Sequence, residues 1–295
     1  MKDGKLTEIK NKPEILSIVI NGENNSVTLK WCPAVGADKY IIQRKTPEEE
    51  KFRKVGTTKA AVTEFKDKTI PGEGEYSYRI VAQKTPKNEE PQTKKSPAES
   101  ITIMHLPPVV FEEVSPDSDT AAVKLTWKKA ENVDGYIIYR RYSFMKKPIN
   151  LATVDSDTCS FIDKSTVKGQ LYYYNIRSFV KGKHGKNLGI RGKESPVIVL
   201  DKPFLLEAKR LHRKRVRFSF RLSAGADGYA VFRSEEKNGK YIETARTEGQ
   251  FVFECTDCAD KKAKGAYYRF ACYKKVEDKE VYGEKTEQIF VKYKL

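Results

Sequence analysis

The sequence predicts an all-β protein made of three tandem β-sandwiches, each with seven strands, in an elongated array. A segment in the middle of the chain, VKLTWKKAENVDGYIIYR at 123–140, recurs upstream as VTLKWCPAVGADKYIIQR at 27–44 and downstream as VRFSFRLSAGADGYAVFR at 216–233. Within each copy apolar and polar residues alternate, which is typical of a strand with one buried face. No stretch shows helical periodicity, so we expect short strands separated by turns throughout.

Four anchor positions indicate that these segments are true repeats. Each anchor recurs after 96 residues and then after a further 93 or 94, although the four lie on different strands. The common spacing indicates three copies of a unit of about 95 residues, the size of a small β-sandwich. The anchors are Trp31, Trp127 and Phe220; Tyr40, Tyr136 and Tyr229; Asp67, Asp163 and Asp257; and Tyr78, Tyr174 and Tyr268.

The repeats divide the chain of 295 residues into a polar lead-in at 1–11 and three units at 12–105, 106–201 and 202–295. Each unit is long enough to bury a small core of its own. The junctions hold only HLPP and LDKP, so there is no flexible Gly/Ser linker. Because a strand rises about 3.3 Å per residue, three units placed end to end predict a rod of about 90–100 Å.

The first two units read as seven strands each. In the first unit the polar loop TPKNEEPQTKKSP precedes the last strand, and the strands are PEILSIVI, SVTLKW, KYIIQRK, FRKVGTT, VTEFKD, EYSYRIVAQK and AESITIM. The second unit begins at Pro107 and Pro108, which break strand pairing, and its strands are VVFEEV, AVKLTW, GYIIYRRY, NLATV, CSFID, LYYYNIRSFV and SPVIVL. Its Gly-rich, cationic loop KGKHGKNLGIRGK at 181–193 has a composition that favours a flexible tip over a binding element.

The third unit opens with the densest basic run of the chain, KRLHRKRVRFSFR at 209–221, and ends in a hairpin that turns at 277–279. In the first of its strands Val216, Phe218 and Phe220 alternate inward, so the intervening basic residues form a stripe on the outer face. This stripe is a candidate patch for an anionic partner, and its members are Arg213, Lys214, Arg215, Arg217 and Arg221.

The charge of the chain points in the same direction. The formal net charge is +16, and half of that excess lies in the last third of the chain. Such a charge favours acidic glycans, wall polymers or nucleic acid as partners, although a solvated lysine-rich surface without a partner is the simpler explanation, which we prefer. Nucleic-acid binders of this kind usually interleave exposed aromatic residues with the cations. Because Phe218 and Phe220 face the core instead, we favour an acidic wall polymer over nucleic acid.

The outer face of the second unit is the best candidate for a ligand-binding site. Ile137 and Tyr139 on one strand are expected to neighbour Tyr173, Asn175 and Arg177 on another. Aromatic rings stack on sugar rings, and an adjacent arginine hydrogen-bonds hydroxyls or carboxylates. The alternative is cross-strand packing of tyrosine against basic side chains, which stabilises any sheet of this kind.

Neither the histidines nor the cysteines indicate catalysis or a cofactor. His105, His184 and His212 occupy unrelated positions in the repeat, so a nucleophilic or acid–base site has no support. Cys255 and Cys258 have CxxC spacing, but no second ligand pair completes a metal site. Cys255 takes the position of Phe65 and Phe161 and is expected in the core, whereas a disulfide from Cys272 to either Cys255 or Cys258 stays open.

Together these features resemble fibronectin type III domains, over about Pro13 to Leu295. The resemblance rests on Trp in the second strand, GADGY or VDGYIIYR in the third, and YSYRIVA in the sixth. It implies immunoglobulin-like sandwiches in which Tyr76 and Tyr172 form tyrosine corners, their hydroxyls bonding back to the preceding connection. The third copy departs from the pattern, because Ala266 stands at the corner and Phe220 replaces the Trp.

Two segments of the third copy, GADGYAVFRSEEKNGKYIETA at 225–245 and KGAYYRFACYKKVEDKEVYGEKT at 264–286, are also similar to Tyr- and Lys-rich repeats of secreted and wall-associated proteins of Gram-positive bacteria such as clostridia. This second resemblance implies a non-catalytic, extracellular spacer or adhesion segment of a larger surface or secreted protein, with a protein or glycan partner at the cell surface. The alternative is an accessory carbohydrate-binding segment of a secreted polysaccharide-degrading enzyme. We expect the protein to be a monomer. We also expect no membrane span, because no run approaches about 18 apolar residues. The first residues lack a hydrophobic region, so we expect no signal peptide in this chain.

Overall fold

The protein is all-β, as the alternation of apolar and polar residues predicts. Its strands are joined by turns and short loops, and the described residues include no α-helix. Consistent with this, no helix in the described part of the chain is long and apolar enough to cross a membrane. The computed structural model describes residues 8–86, 89–212, 215–249, 254–258, 264–276 and 279–293.

The first unit folds as two facing antiparallel sheets. Its strands are β1 (Glu14–Asn21), β2 (Ser26–Cys32), β3 (Lys39–Lys45), β4 (Arg53–Lys59), β5 (Glu64–Asp67), β6 (Gly74–Lys84), β7 (Gln92–Lys95) and β8 (Glu99–Ile103). One sheet has the order β1-β2-β5, and the other has the order β4-β3-β6, with β7 and β8 both pairing with β6. Strands β7 and β8 are therefore two parts of one edge strand, the seventh and last of the sandwich. The eight strands thus occupy the seven positions that the sequence predicts.

The second and third units repeat this topology. The second contains β9 (Phe111–Asp117), β10 (Ala122–Trp127), β11 (Gly135–Tyr142), β12 (Ile149–Asp155), β13 (Ser160–Asp163), β14 (Leu171–Gly182), β15 (Gly185–Leu188) and β16 (Ser195–Ile198). The third contains β17 (Leu205–Arg210), β18 (Arg215–Phe220), β19 (Gly228–Ser234), β20 (Ile242–Arg246), β21 (Glu254–Cys258), β22 (Gly265–Val276), β23 (Lys279–Tyr282) and β24 (Ile289–Lys292). Their sheets are β9-β10-β13 with β12-β11-β14, and β17-β18-β21 with β20-β19-β22. These are immunoglobulin-like sandwiches in an array.

The recurring aromatic anchors pack against each other inside each sandwich. Trp127 meets Tyr136 edge to face, with ring centroids 5.5 Å apart. The Tyr136 hydroxyl accepts a hydrogen bond from the backbone N–H of Ala130 at 2.7 Å. This bond satisfies a polar group that burial would otherwise leave unpaired. The equivalent ring pairs are Trp31 with Tyr40, again edge to face, and Phe220 stacked on Tyr229.

The two predicted tyrosine corners are confirmed. The Tyr76 hydroxyl donates to the carbonyl of Gly72 at 3.1 Å, and the backbone N–H of Val167 donates to the Tyr172 hydroxyl at 2.9 Å. In the third unit Ala266 is buried at the corresponding place and contributes only a methyl group to the core.

The first and second units share a continuous sheet. Strand β15 pairs with β14 in its own unit and, in parallel, with β1 of the first unit, where Ile20 lies opposite Asn187. The backbone N–H of Ile18 donates to the carbonyl of His184 at 2.9 Å, and that of Gly22 donates to the carbonyl of Leu188 at 2.7 Å. The expectation of a flexible tip at 181–193 is therefore wrong, because this loop is a hairpin whose outer strand finds its partner in another unit.

The second and third units share a buried strand. Along β16 and its extended continuation to Leu200, Val197 and Val199 pack in the core of the second unit, whereas the alternating residues Ile198 and Leu200 pack in the core of the third. All four are at most 2% exposed. Both junctions are thus tightly packed, although the unit boundaries themselves stay predictions.

Candidate functional site

The five residues proposed for the outer face of the second unit do lie on neighbouring strands. Ile137 is opposite Arg177 and Tyr139 is opposite Asn175, while Tyr173 is two pairs further along, opposite Arg141. However, Ile137, Asn175 and Arg177 are 5%, 0% and 2% exposed, so the expectation that these three face solvent is wrong. Only Tyr139 and Tyr173 keep partly accessible rings.

Arg177 is buried because the first unit covers it. Its Nε and Nη2 donate to the carbonyl of Gly189 at 2.8 and 2.6 Å, and Nη2 also donates to Oδ1 of Asn21 at 2.7 Å. Burial lowers the pKa of the Arg177 guanidinium from its ordinary value, yet an arginine remains a cation in proteins. This side chain connects β14 to the first unit, and its Nη1 lies 4.0 Å from a carboxylate oxygen of Glu23 in that unit.

Tyr139 and Tyr173 are each covered on one side by a different arginine. The Arg191 guanidinium lies 4.8 Å from the centre of the Tyr139 ring, and that of Arg141 lies 4.0 Å from the centre of the Tyr173 ring. Arg141 also forms a bidentate ion pair with Glu194, at 2.8 and 2.5 Å. A cation held over an aromatic face stabilises the ring in one orientation.

Tyr173 lies in a cleft of about 530 Å³ between the second and third units. Its volume lies within the range of small-molecule sites. The cleft is lined by two lysine ammonium groups, one glutamate carboxylate, one serine hydroxyl and one tyrosine ring. The lining residues are Tyr173, Lys193, Glu194, Ser195, Pro196, Val276 and Lys279.

The sequence identified Tyr173 but missed the residues that surround it. The alternation that directs Ile137 and Tyr139 outward also directs Arg141 outward, so that residue could have been found from the pattern. Lys279 could not have been found, because it comes from the hairpin of the next unit, which only the tertiary structure brings to the cleft.

The basic stripe of the third unit is present but is not purely cationic. Arg215 and Arg221 are exposed, and the Arg217 guanidinium lies 3.6 Å from a carboxylate oxygen of Glu254 on the adjacent strand. Arg221 lies 4.1 Å over the Phe204 ring. Arg213 and Lys214 lie outside the described residues. The stripe therefore presents two accessible guanidiniums beside one that already has a carboxylate partner.

The cysteines are all free thiols, so the disulfide that the sequence left open is not formed. Cys255 and Cys272 are buried in the core of the third unit, which confirms the expectation for Cys255, whereas Cys258 is exposed. Among the described residues no group of three or more His, Cys, Asp or Glu side chains is placed to hold a metal ion.

Comparison with known proteins finds fibronectin type III tandems among solved structures. A crystal structure of the FN1–FN3 domains of chicken CNTN1 has 16% identity, covers 95% of this chain and 98% of that chain, and gives a TM-score of 0.32. A two-domain fibronectin type III segment of chicken tenascin has 21% identity over 63% of this chain and 98% of that chain, with a TM-score of 0.25. No family model matches the sequence.

Proposed function

We propose that this chain is a non-catalytic spacer or adhesion segment of a bacterial surface or secreted protein. The observation that carries the proposal is the construction of the two junctions. A parallel strand pair closes the first, and one strand shared by two cores closes the second. Units joined in this way hold a fixed distance between whatever lies at the two ends, which is the task of a spacer.

Small-angle scattering tests the spacer proposal directly. The purified chain is expected to give a maximum dimension of about 90–100 Å that does not change with protein concentration. A compact globule, or a dimension that grows with concentration, would contradict a monomeric spacer.

The stripe on the third unit is the proposed contact for an acidic wall polymer. Reversing the charge of Arg215 and Arg217 together is expected to weaken retention on purified anionic wall polymer, and that retention should fall with salt. Lys124 occupies the position in the second unit that Arg217 occupies in the third, and Lys128 is exposed nearby, so Lys124→Glu with Lys128→Glu is the control that changes the net charge by the same amount. Equal loss in both variants would show that only total charge matters. A steep salt dependence with DNA but not with wall polymer would favour nucleic acid instead.

Glycan binding is the second candidate function, and the cleft that contains Tyr173 favours it. An aromatic ring beside lysines and a serine hydroxyl offers both stacking and hydrogen bonding to a saccharide. On a glycan array, Tyr173→Ala is expected to abolish saccharide binding, and Tyr139→Ala, outside the cleft, to leave it largely intact. Tyr241→Ala is the control, because Tyr241 in the third unit is similarly covered by an arginine, Arg269. Absence of any saccharide signal from the intact chain would remove this candidate.

A further inference from the structure

The connection between β11 and β12 of the second unit, residues 143–148, belongs to none of the sites described above. Its Phe144 side chain is 77% exposed, more than any other large apolar side chain that the structure describes. We propose that this connection inserts into the interfacial region of an anionic lipid membrane, as a peripheral contact that does not span the bilayer. The proposal does not depend on the spacer function or on the Tyr173 cleft.

A stack of aromatic rings holds Phe144 in its exposed position. The Phe144 ring lies nearly parallel to that of Tyr142, with centroids 5.3 Å apart, and the Tyr142 ring lies 5.2 Å from that of the buried Tyr172. The Arg140 guanidinium lies 5.6 and 5.0 Å from the centres of these two tyrosine rings, and it is paired with the buried Asp163. Because the stack orients the ring in advance, a partner that covers it loses less affinity to ordering the side chain.

The other two units cover the aromatic residue of the corresponding connection. In the first unit the Arg79 guanidinium lies 4.0 Å from the centre of the Phe52 ring, just before β4. In the third unit the Arg269 guanidinium lies 5.0 Å from the centre of the Tyr241 ring, just before β20. The exposure of Phe144 is therefore a property of the second unit and does not follow from the shared fold.

The charge of this connection favours an anionic partner. Residues 140–154 include four basic residues and no acidic one, whereas the corresponding connections carry three glutamates at 48–50 and two at 235–236. Lys146 and Lys147 are exposed, and neither forms an ion pair with another described residue. Their ammonium groups are available to lipid phosphates, which attract basic residues close to an anionic surface.

The shape of the connection favours a membrane over a small ligand. It is the turn at the end of the β11–β12 hairpin, whereas small ligands usually bind in concave sites. Two exposed apolar side chains, Phe144 and the 41% exposed Ile149, lie close in sequence to the two lysines. In an interfacial contact the apolar groups enter the boundary of the acyl chains while the ammonium groups stay at the phosphates.

Tryptophan fluorescence of a Phe144→Trp variant of the intact chain tests the proposal. Trp31 and Trp127 are both 2% exposed and supply a constant background. Vesicles of phosphatidylcholine and phosphatidylglycerol are expected to shift the emission of the added indole to shorter wavelength, and vesicles of phosphatidylcholine alone to shift it much less. No shift at position 144, or an equal shift with both kinds of vesicle, would overturn the proposal.

A second aromatic position provides the control for this measurement. Phe290 in the third unit is 55% exposed, and the emission of Phe290→Trp should not change with either kind of vesicle. A shift as large as that of Phe144→Trp would show that any exposed aromatic side chain of this chain meets the lipid, and would overturn the assignment to the β11–β12 connection.

Co-sedimentation of the intact chain with the anionic vesicles measures the affinity. Phe144→Ala, and separately Lys146→Gln with Lys147→Gln, are each expected to weaken vesicle binding by about tenfold or more. Because these side chains are exposed, the thermal unfolding midpoints should stay close to that of the parent chain. Lys66→Gln with Lys68→Gln removes the same charge from exposed positions of the first unit and is the matched control. Equal weakening by the two double variants would indicate a response to total charge and would overturn the assignment.

A soluble acidic polysaccharide distinguishes a membrane from a glycan as the partner. The proposal predicts that polygalacturonate leaves the emission of Phe144→Trp unchanged. A shift with polygalacturonate and none with anionic vesicles would assign the connection to an acidic glycan and would overturn the proposal.

Discussion

Each unit buries an aspartate that accepts hydrogen bonds from an arginine and a tyrosine. In the second unit Oδ2 of Asp163 lies 2.6 Å from Nη1 of Arg140 and 2.6 Å from the Tyr174 hydroxyl. The aspartate also accepts a bond from the backbone N–H of Ser165. This network explains why the aspartate and tyrosine anchors recur with the same spacing. The equivalent residues are Arg44, Asp67 and Tyr78 in the first unit and Arg233, Asp257 and Tyr268 in the third.

Removing the central carboxylate should therefore lower the free energy of unfolding substantially. Asp163→Ala leaves the Arg140 guanidinium buried without its partner, and we expect the free energy of unfolding of the second unit to fall by about 3–5 kcal/mol. Asp157→Ala is the matched control, since Asp157 forms an exposed ion pair with Lys129 and should change stability by less than about 1 kcal/mol. Chemical denaturation measures the free energy of unfolding of both variants. Similar decreases in the two would show that the buried network stabilises the unit no more than an exposed ion pair does.

Because of the same carboxylate, we expect the stability of the second unit to depend on pH under acidic conditions. Burial alone would raise the pKa of Asp163, but hydrogen bonds from Tyr174, Ser165 and Arg140 outweigh burial and lower it. The folded-state pKa thus lies below the unfolded value of about 3.9, so this contribution is complete above that pH and is lost as the pH falls through the folded-state pKa. Denaturation midpoints should be flat near neutral pH and drop below about pH 4. A midpoint that rises there would contradict this sign.

The thiols of the third unit should differ sharply in reactivity. Burial raises the pKa of Cys255 to about 12 and that of Cys272 to about 11, so neither forms a thiolate at moderately alkaline pH. Cys258 is exposed on the outer face of β21. Alkylation followed by peptide mass analysis should label Cys258 in the native protein and Cys255 and Cys272 only after unfolding. Native labelling of Cys272 would indicate that the core opens readily.

The hairpin formed by β14 and β15 is the element that links the first two units. An edge strand exposes unpaired backbone groups, and here the edge of each sheet is covered by that of the other. Lys183 and His184, at the turn of the hairpin, both reach a carboxylate oxygen of Glu99 in the first unit at 2.8 Å. These contacts lower the pKa of Glu99, with the hydrogen bond from Lys183 as the largest cause.

Two glycines of this hairpin allow a sharp test. A methyl group at Gly185 would overlap the carbonyl oxygen of Ile18, whereas one at Gly182 would meet only the carbonyl oxygen of Gly185, at 3.3 Å. Gly185→Ala is therefore expected to separate β15 from β1. Hydrogen exchange at the amide of Ile18 should then accelerate by about five- to twelvefold, as expected when a bond of about 1–1.5 kcal/mol is lost. Gly182→Ala should leave that exchange nearly unchanged, and equal acceleration in both would contradict the pairing.

At the scale of the whole molecule, the second junction couples two cores through one strand. Gly169 and Gly225 meet there, each with a positive φ, of 80° and 76°. A Cβ atom at Gly225 would lie only 2.4 Å from the Cα atom of Gly169, whereas a Cβ atom at Gly169 would be tight against Ala224, at 3.0 Å. Polar contacts also cross this junction: the Lys202 ammonium lies 3.3 Å from a carboxylate oxygen of Asp119, and the backbone N–H of Ser118 donates to Oε1 of Glu284 at 3.0 Å.

Truncating the shared strand should therefore destabilise a unit to which the residue does not belong in sequence. Leu200→Ala is expected to lower the stability of the third unit by about 2–5 kcal/mol, because a buried leucine is lost from its core. Leu206 is 58% exposed, and Leu206→Ala should change stability by less than about 0.5 kcal/mol. Thermal unfolding followed by fluorescence of Tyr residues near the third core compares them. A loss confined to the second unit would contradict the sharing of the strand.

The sequence by itself determined the fold class and the repeat, because both depend on local alternation and on anchor residues that each sandwich must bury. Trp127, Tyr136, Asp163 and Tyr174 were identified as anchors from spacing alone, and the corner at Tyr172 followed from the resemblance. Only the tertiary structure decided which outward-facing residues reach solvent. The pattern predicts that Arg177 faces solvent and says nothing of Asn187, whereas the first unit buries both. Their environment depends on pairing between strands that lie more than 150 residues apart, and strand alternation within one unit carries no information about such a partner.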